Sequence, residues 1–278
     1  MSQAIIGVIT IEQDPNFFAG RYFREILTVA SQEIADHSCY LRIVSFTPEQ
    51  IHTAAAARVA LAAQNLDAAL LVAPSEGFLE AIGELLYALP SVIISAPRFD
   101  IPLNYVSSDN YGALCQIVTH LANLGHRRIQ LLQPDEAGGD FPERARGYAD
   151  TIDALGLEPR ITTIAYPLPH TLIDRQVLAG SPDALIAADD HDALALLSRL
   201  QRRGLRVPQD IALVGFDDEE FAADTFPALT TVSQPFGEMA RRATRYLLDR
   251  LSGVERGLYQ EILPNHLIVR ESCGARHP

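Results

Sequence analysis

Two doubly wound α/β lobes, each a largely parallel sheet with helical cover, are the fold class this sequence predicts. Short apolar runs alternate with helix-period stretches almost from end to end. The runs are mostly four to six residues long and rich in Val, Ile and Leu, as parallel strands covered on both faces require. About ten of them over 278 residues are too many for one small sheet, and their spacing is too uneven for an eight-fold β/α barrel.

The strand candidates in order are Ile5–Ile9, Leu41–Phe46, Ala68–Val72, Val92–Ser95, Tyr105–Ser107, Ile129–Leu132, Ile161–Ala165, Ala184–Ala187, Ile211–Gly215, Thr230–Ser233 and Leu263–Val269. Between them Phe23, Ile26, Leu27, Ala30 and Ile34 repeat at helical spacing. So do Leu114, Ile117, Val118 and Leu121, and again Ala193, Leu196, Leu197 and Leu200. Gly125, Gly156 and Gly204 each follow the last periodic residue, where a left-handed helix ending favours glycine. Asp109 and Asp190 stand where N-caps are expected. The pattern places the start of the second lobe after Leu124–Arg128.

Composition excludes several function classes. With 22 basic and 35 acidic side chains the formal net charge is −13, the wrong sign for a nucleic-acid groove. Every basic residue is Arg, so lysine Schiff-base chemistry and a phosphate-loop lysine are excluded. Three widely spaced cysteines (Cys39, Cys115, Cys273) fit reduced thiols, and with no secretory signal pattern or spanning apolar stretch the expectation is a cytoplasmic protein without membrane contact.

In open α/β sheets ligands bind beyond the carboxyl ends of the strands. The polar and aromatic residues at those positions are Asp14, Phe17 and Phe18 after the first strand, Arg98 after Val92–Ser95, and Arg144 and Arg146 after Ile129–Leu132. Tyr166 follows Ile161–Ala165, Asp189 and Asp190 follow Ala184–Ala187, Asp217 and Asp218 follow Ile211–Gly215, and Gln234 follows Thr230–Ser233. Carboxylates and guanidinium groups bracket vicinal hydroxyls, and aromatic faces pack on C–H surfaces, so the set suits a polyhydroxylated ligand. Each residue has a structural alternative: an N-cap for Asp190, core packing for Phe17 and Phe18, a surface pair with Glu143 for either arginine. No nucleophile elbow, phosphate loop, dinucleotide fingerprint or metal-ligand spacing is present, so a binding protein without cofactor or metal is expected rather than an enzyme.

Four stretches resemble the effector-binding core of LacI/GalR-type bacterial transcriptional regulators: Asp14–Phe18, Ser108–Ile129, Glu143–Tyr148, and Arg206–Asp218 continuing through Pro227–Pro235. The resemblance implies a periplasmic binding protein-like fold, two lobes joined by a three-segment hinge. Residues 1–124 and 236–258 would form the N-terminal lobe, and 125–235 and 259–278 the C-terminal lobe. It implies a sugar-type effector in the cleft, stacked by Phe17 and Phe18 and held by Asp14, Arg98, Arg144, Tyr166, Asp189, Asp217 and Gln234. It also implies a homodimer, with operator DNA bound only through an N-terminal helix-turn-helix that this sequence does not include. A solute-binding protein of a sugar transporter shares the architecture and is the alternative. The sequence departs from the family pattern at Ala96-Pro97-Arg98, where Asp-Arg is usual, and at Asp189, where Asn is usual. The order of Pro15 and Asn16 is also rearranged.

Overall fold

The computed structural model describes residues 3–11, 20–95, 102–134, 139–164, 177–178 and 180–275. The first half of the chain forms β1 (Ala4–Ile11), α1 (Arg21–Ile34), β2 (Cys39–Phe46), α2 (Ala54–Ala62), β3 (Ala68–Val72), α3 (Glu76–Ala88), β4 (Ser91–Ile94), β5 (Tyr105–Ser108) and α4 (Asn110–Asn123). It continues as β6 (Ile129–Pro134), α5 (Phe141–Ala154), β7 (Ile161–Ile164), β8 (Ala184–Ile186), α6 (Asp190–Arg202), β9 (Ala212–Val214), β10 (Thr231–Ser233), α7 (Phe236–Leu251), β11 (Gln260–Leu263) and β12 (His266–Ile268).

These elements form two units, Met1–Ser108 with Pro235–Leu263, and Asp109–Gln234 with Pro264–Pro278. The sheet of the first unit has the order β11-β5-β4-β3-β1-β2, all parallel. Its central strands β3 and β4 are buried on both faces because side chains alternate between two clusters, while the edge strands β2 and β11 are partly exposed. Ala68, Leu70 and Val72 pack with Phe23 and Ile26 of α1 and Met239 and Leu247 of α7. Ala69 and Leu71 turn the other way, onto Leu61 of α2 and Phe78, Leu79 and Ile82 of α3. Arg241 and Arg245 of α7 both reach Glu33 of α1, fastening the two helices on that face.

The second unit repeats the design with a parallel sheet of order β7-β6-β8-β9 and an antiparallel β10-β12 pair. Ala184 and Ile186 pack under α4 and α5, while Leu185 and Ala187 pack under Leu196, Leu197 and Leu200 of α6.

The expected boundary after residue 124 falls instead after Ser108, and the expected one after residue 258 falls after Leu263. The first difference arises because α4 packs on α5: a Cβ on Gly147 would lie 2.3 Å from the Tyr111 carbonyl oxygen, so the backbones touch. The second arises because the expected strand Leu263–Val269 is two strands, β11 in the first sheet and β12 against β10 in the second. Gly125, Gly156 and Gly204 do adopt positive φ (101°, 66° and 77°) as helix endings.

Tyr148 on α5 is fully buried, and its hydroxyl donates to the Ile129 carbonyl (2.7 Å) and accepts from the Arg160 amide (2.8 Å). Removing that hydroxyl in Tyr148→Phe should cost about 1–3 kcal/mol, read as a shift of the urea midpoint at constant slope. An unchanged midpoint would mean the two backbone groups find other partners. Gly147→Ala should cost about 1–3 kcal/mol by forcing α4 from α5, and equal stability of the alanine variant would contradict the backbone contact.

Candidate functional site

The carboxyl ends of β6, β8, β9 and β10 carry the polar residues of the second unit. Arg144 lies on the first turns of α5, which opens on Phe141-Pro142. Its guanidinium is buried, so it requires hydrogen bonds to offset lost hydration. Nε donates to Asn110 Oδ1 (2.7 Å), and one terminal nitrogen donates to the Ala188 carbonyl (2.8 Å). The group lies flat on aromatic surface, 3.6 Å from the Phe216 ring centroid and 5.0 Å from that of Phe141.

The acidic doublets divide in an unexpected way. Asp189, not Asp190, is the N-cap of α6: its backbone is extended and its Oδ1 accepts from the Asp192 amide at 2.7 Å. Asp190 is the first helical residue, has no exposed surface, and accepts from the Thr231 hydroxyl (2.6 Å) and the Glu219 amide (2.8 Å). Gly215 is the residue that admits this carboxylate, because a Cβ there would meet Asp190 Oδ1 at 2.0 Å. Burial pushes the Asp190 carboxyl up to about 8, and the charges of Asp217 and Asp189 add to it.

After β9 the backbone turns through two consecutive left-handed residues, Asp217 (φ 103°) and Asp218 (φ 53°). Such conformations are disfavoured away from glycine and persist only where the surroundings hold them. Here the Asp217 amide donates to the Val232 carbonyl (2.9 Å), and Arg270 binds the Asp218 carboxylate (2.7 Å). Asp217 Oδ1 accepts from Gln234 Nε2 at 2.6 Å. Burial raises the Asp217 carboxyl to about 6, against the pull of the Arg144 guanidinium and with the push of Asp189.

Of the expected contacts, Arg144, Asp189, Asp217 and Gln234 therefore lie in the second unit: Asp217 and Gln234 touch, and Arg144 and Asp189 are near enough for their charges to act on the Asp217 carboxyl. Asp14, Phe17, Phe18, Arg98 and Tyr166 lie outside the described residues. Arg146 pairs with Glu143 (2.5 Å) and stacks on Tyr111 at 4.4 Å, so it takes the surface alternative. Asn110, Phe216 and Thr231 join the cluster without having been expected there. The signal for Asn110 was its place beside the N-cap Asp109, and for Phe216 its place before the turn at Asp217.

Asp190 and Asp217 hold their protons more tightly folded than unfolded, so stability present at acid pH is lost as pH rises through about 6 and about 8. Burial holds His120 below its ordinary 6.5, which gives the reverse slope on the acid side. Comparison with Asp190→Asn isolates the carboxylate, since the amide can accept from Glu219 and donate to Thr231 as the protonated acid would. The variant should melt with a flatter pH dependence between pH 6 and 9 and higher relative stability at pH 9. A parallel pair of curves would contradict a proton on Asp190.

Residues 118–273 match the family profile of the periplasmic binding protein-like domain. The HTH-type transcriptional regulator CelR of Thermobifida fusca is 33% identical over 226 residues, which is 76% of this chain and 65% of CelR. The HTH-type transcriptional repressor CytR of Escherichia coli strain K12 is 28% identical over 285 residues, 99% of this chain and 80% of the repressor. A solved CelR–cellobiose complex superposes with a TM-score of 0.83 at 27% identity, covering 98% of this chain and 86% of that one. The chain spans 65% of CelR and 57% of the regulator reg1 of Streptomyces lividans. Among the described residues no helix is long and apolar enough to cross a membrane. The profile match over more than half its length, with the doubly wound units and these relatives, shows that the chain belongs to the periplasmic binding protein-like family in the form found in LacI/GalR-type transcriptional regulators.

Proposed function

We propose that this chain is the effector-binding and dimerisation core of a LacI-type regulator, taking a sugar or sugar-like molecule that controls DNA binding by a helix-turn-helix module. The observation that carries this reading is the cluster in the second unit in which Asp217 bonds Gln234 and lies within reach of the Arg144 charge. A guanidinium on aromatic faces beside a carboxylate–amide pair offers donors and acceptors of the kind that bind hydroxyl groups. Asp189, at the neighbouring strand end, is the fourth proposed contact. Asp14, Phe17 and Phe18 after β1, Arg98 after β4 and Tyr166 after β7 are proposed contacts on the same grounds of position. That CelR was solved with cellobiose supports a carbohydrate ligand, and the regulator names of the relatives favour this reading over a transport protein. The ligand would be bound and released unchanged, in the cytoplasm.

A thermal-shift panel of neutral pentoses, hexoses and disaccharides, cellobiose included, should contain at least one stabilising ligand. Arg144→Lys and Asp217→Asn should each weaken it by at least tenfold, about the 1.5–3 kcal/mol of a charged hydrogen bond. Undiminished ligand shifts in both variants would remove these residues from the site. Sedimentation should show a dimer, and a monomer at every accessible concentration would contradict the dimerisation role.

A further inference from the structure

A guanidinium laid on an aromatic ring is held at a fixed height but can still pivot in its own plane, and in-plane hydrogen bonds are what stop the pivot. For Arg144 the ring is Phe216, at 3.6 Å from the centroid. Its in-plane bonds run from Nε to Asn110 Oδ1 (2.7 Å) and from one terminal nitrogen to the Ala188 carbonyl (2.8 Å). One such bond is an axle; two fix the angle. Ala188 contributes a backbone atom, so Asn110 is the side chain that sets where the remaining N–H groups of Arg144 point.

The place of Asn110 in the chain suits that task. It is buried at 3% exposure and is the first residue of α4, behind the N-cap Asp109, whose Oδ1 accepts from the Gly112 amide at 2.8 Å. It stands two residues beyond Ser108, where the chain passes from the first unit to the second. A second proposed contact is gripped in the same way: Gln234, the last residue before the chain returns at Pro235, donates to Asp217 Oδ1 at 2.6 Å. The third passage, between Leu263 and Pro264, also carries an amide two residues on, Asn265, but that side chain is buried with neither amide atom hydrogen-bonded. Asn265 is therefore a built-in control for Asn110: the same residue type at the same step of a passage, without a grip on a proposed contact.

We infer that Asn110 is a positioning residue for effector binding, fixing the in-plane angle of the Arg144 guanidinium and so the direction in which it offers donors to a hydroxyl-bearing ligand. The inference rests on the carbohydrate reading above and adds a residue outside the proposed contacts. Asn110→Asp keeps an acceptor for Nε, whereas Asn110→Leu keeps the size of the side chain and removes the acceptor.

The test is calorimetric titration of the 278-residue chain with cellobiose, glucose, galactose and ribose, continued with whichever binds most tightly. Asn110→Leu should weaken that sugar by fivefold or more, while Asn110→Asp and Asn265→Leu should each stay within threefold of the unsubstituted protein. Asn110→Ser, whose hydroxyl is too short to reach Nε, is read in the same way if the leucine variant does not fold. Combining Asn110→Leu with Arg144→Lys should weaken binding no further than Arg144→Lys alone, because an ammonium group has no planar fork to orient. A purely structural role would instead multiply the two losses. Undiminished binding by Asn110→Leu, an equal loss in Asn110→Asp, or multiplied losses in the double variant would each overturn the positioning role while leaving the carbohydrate reading intact. An equal loss in Asn265→Leu would assign the effect to the passages in general and overturn it as well. If none of the four sugars bound, the carbohydrate reading would fall and this inference with it.

Discussion

The buried guanidinium of Arg144 is the interaction on which the polar cluster of the second unit depends. A charge withdrawn from water is tolerated only where donors are matched and the field is favourable. Asn110 from the start of α4, the Ala188 carbonyl after β8 and the Phe216 ring after β9 supply that match from three separate elements. The planar fork is essential to the arrangement: two nitrogens bond in different directions while the π-face stays on the ring, which an ammonium group cannot do. A chain whose cations are all arginine is suited to this, and the same habit recurs where Arg42, Arg58 and Arg128 donate to backbone carbonyls.

Around that cation the backbone is shaped to bring carboxylates near without collapsing onto them. Gly215 leaves room for Asp190, and the two left-handed residues that follow reverse the chain so that Asp217 meets Gln234 and Asp218 meets Arg270. The strain in that turn is offset by its pairing to β10 through the Asp217 amide. Strand, turn and helix cap are thus one device, held by backbone and side-chain hydrogen bonds together.

Much of this architecture was legible in the sequence because parallel strands and amphipathic helices leave periodic signatures, and because strand ends are where polar residues interrupt them. Arg144, Asp217 and Gln234 stood out for that reason. The unit boundaries were less legible: the α4–α5 contact rests on one glycine meeting a carbonyl, which no apolar period records. The division of Leu263–Val269 between two sheets was hidden because the apolar run gives no mark at Pro264-Asn265 of a change of partner. Gln133 carries no sequence signal, because a glutamine within a strand looks like an ordinary edge residue and the sequence does not record its buried, unpaired carbonyl oxygen. The N-cap falls one position before the expected Asp190, since either aspartate of the doublet satisfies the capping preference and only the extended backbone of Asp189 decides between them.

That one-residue difference has consequences for chemistry. Two adjacent aspartates on a helix start point in different directions, so a doublet in sequence becomes two unlike environments in space. Asp190 turns inward to Thr231 and Glu219, loses all exposure, and becomes a strut between α6 and the turn after β9. Asp189 keeps the cap, accepting from the Asp192 amide. Burial therefore separates the Asp190 carboxyl, which holds the turn in place, from the Asp189 carboxyl, which caps the helix, although the sequence writes both alike. The functional weight of an acidic pair in this fold is set by which residue the helix claims first.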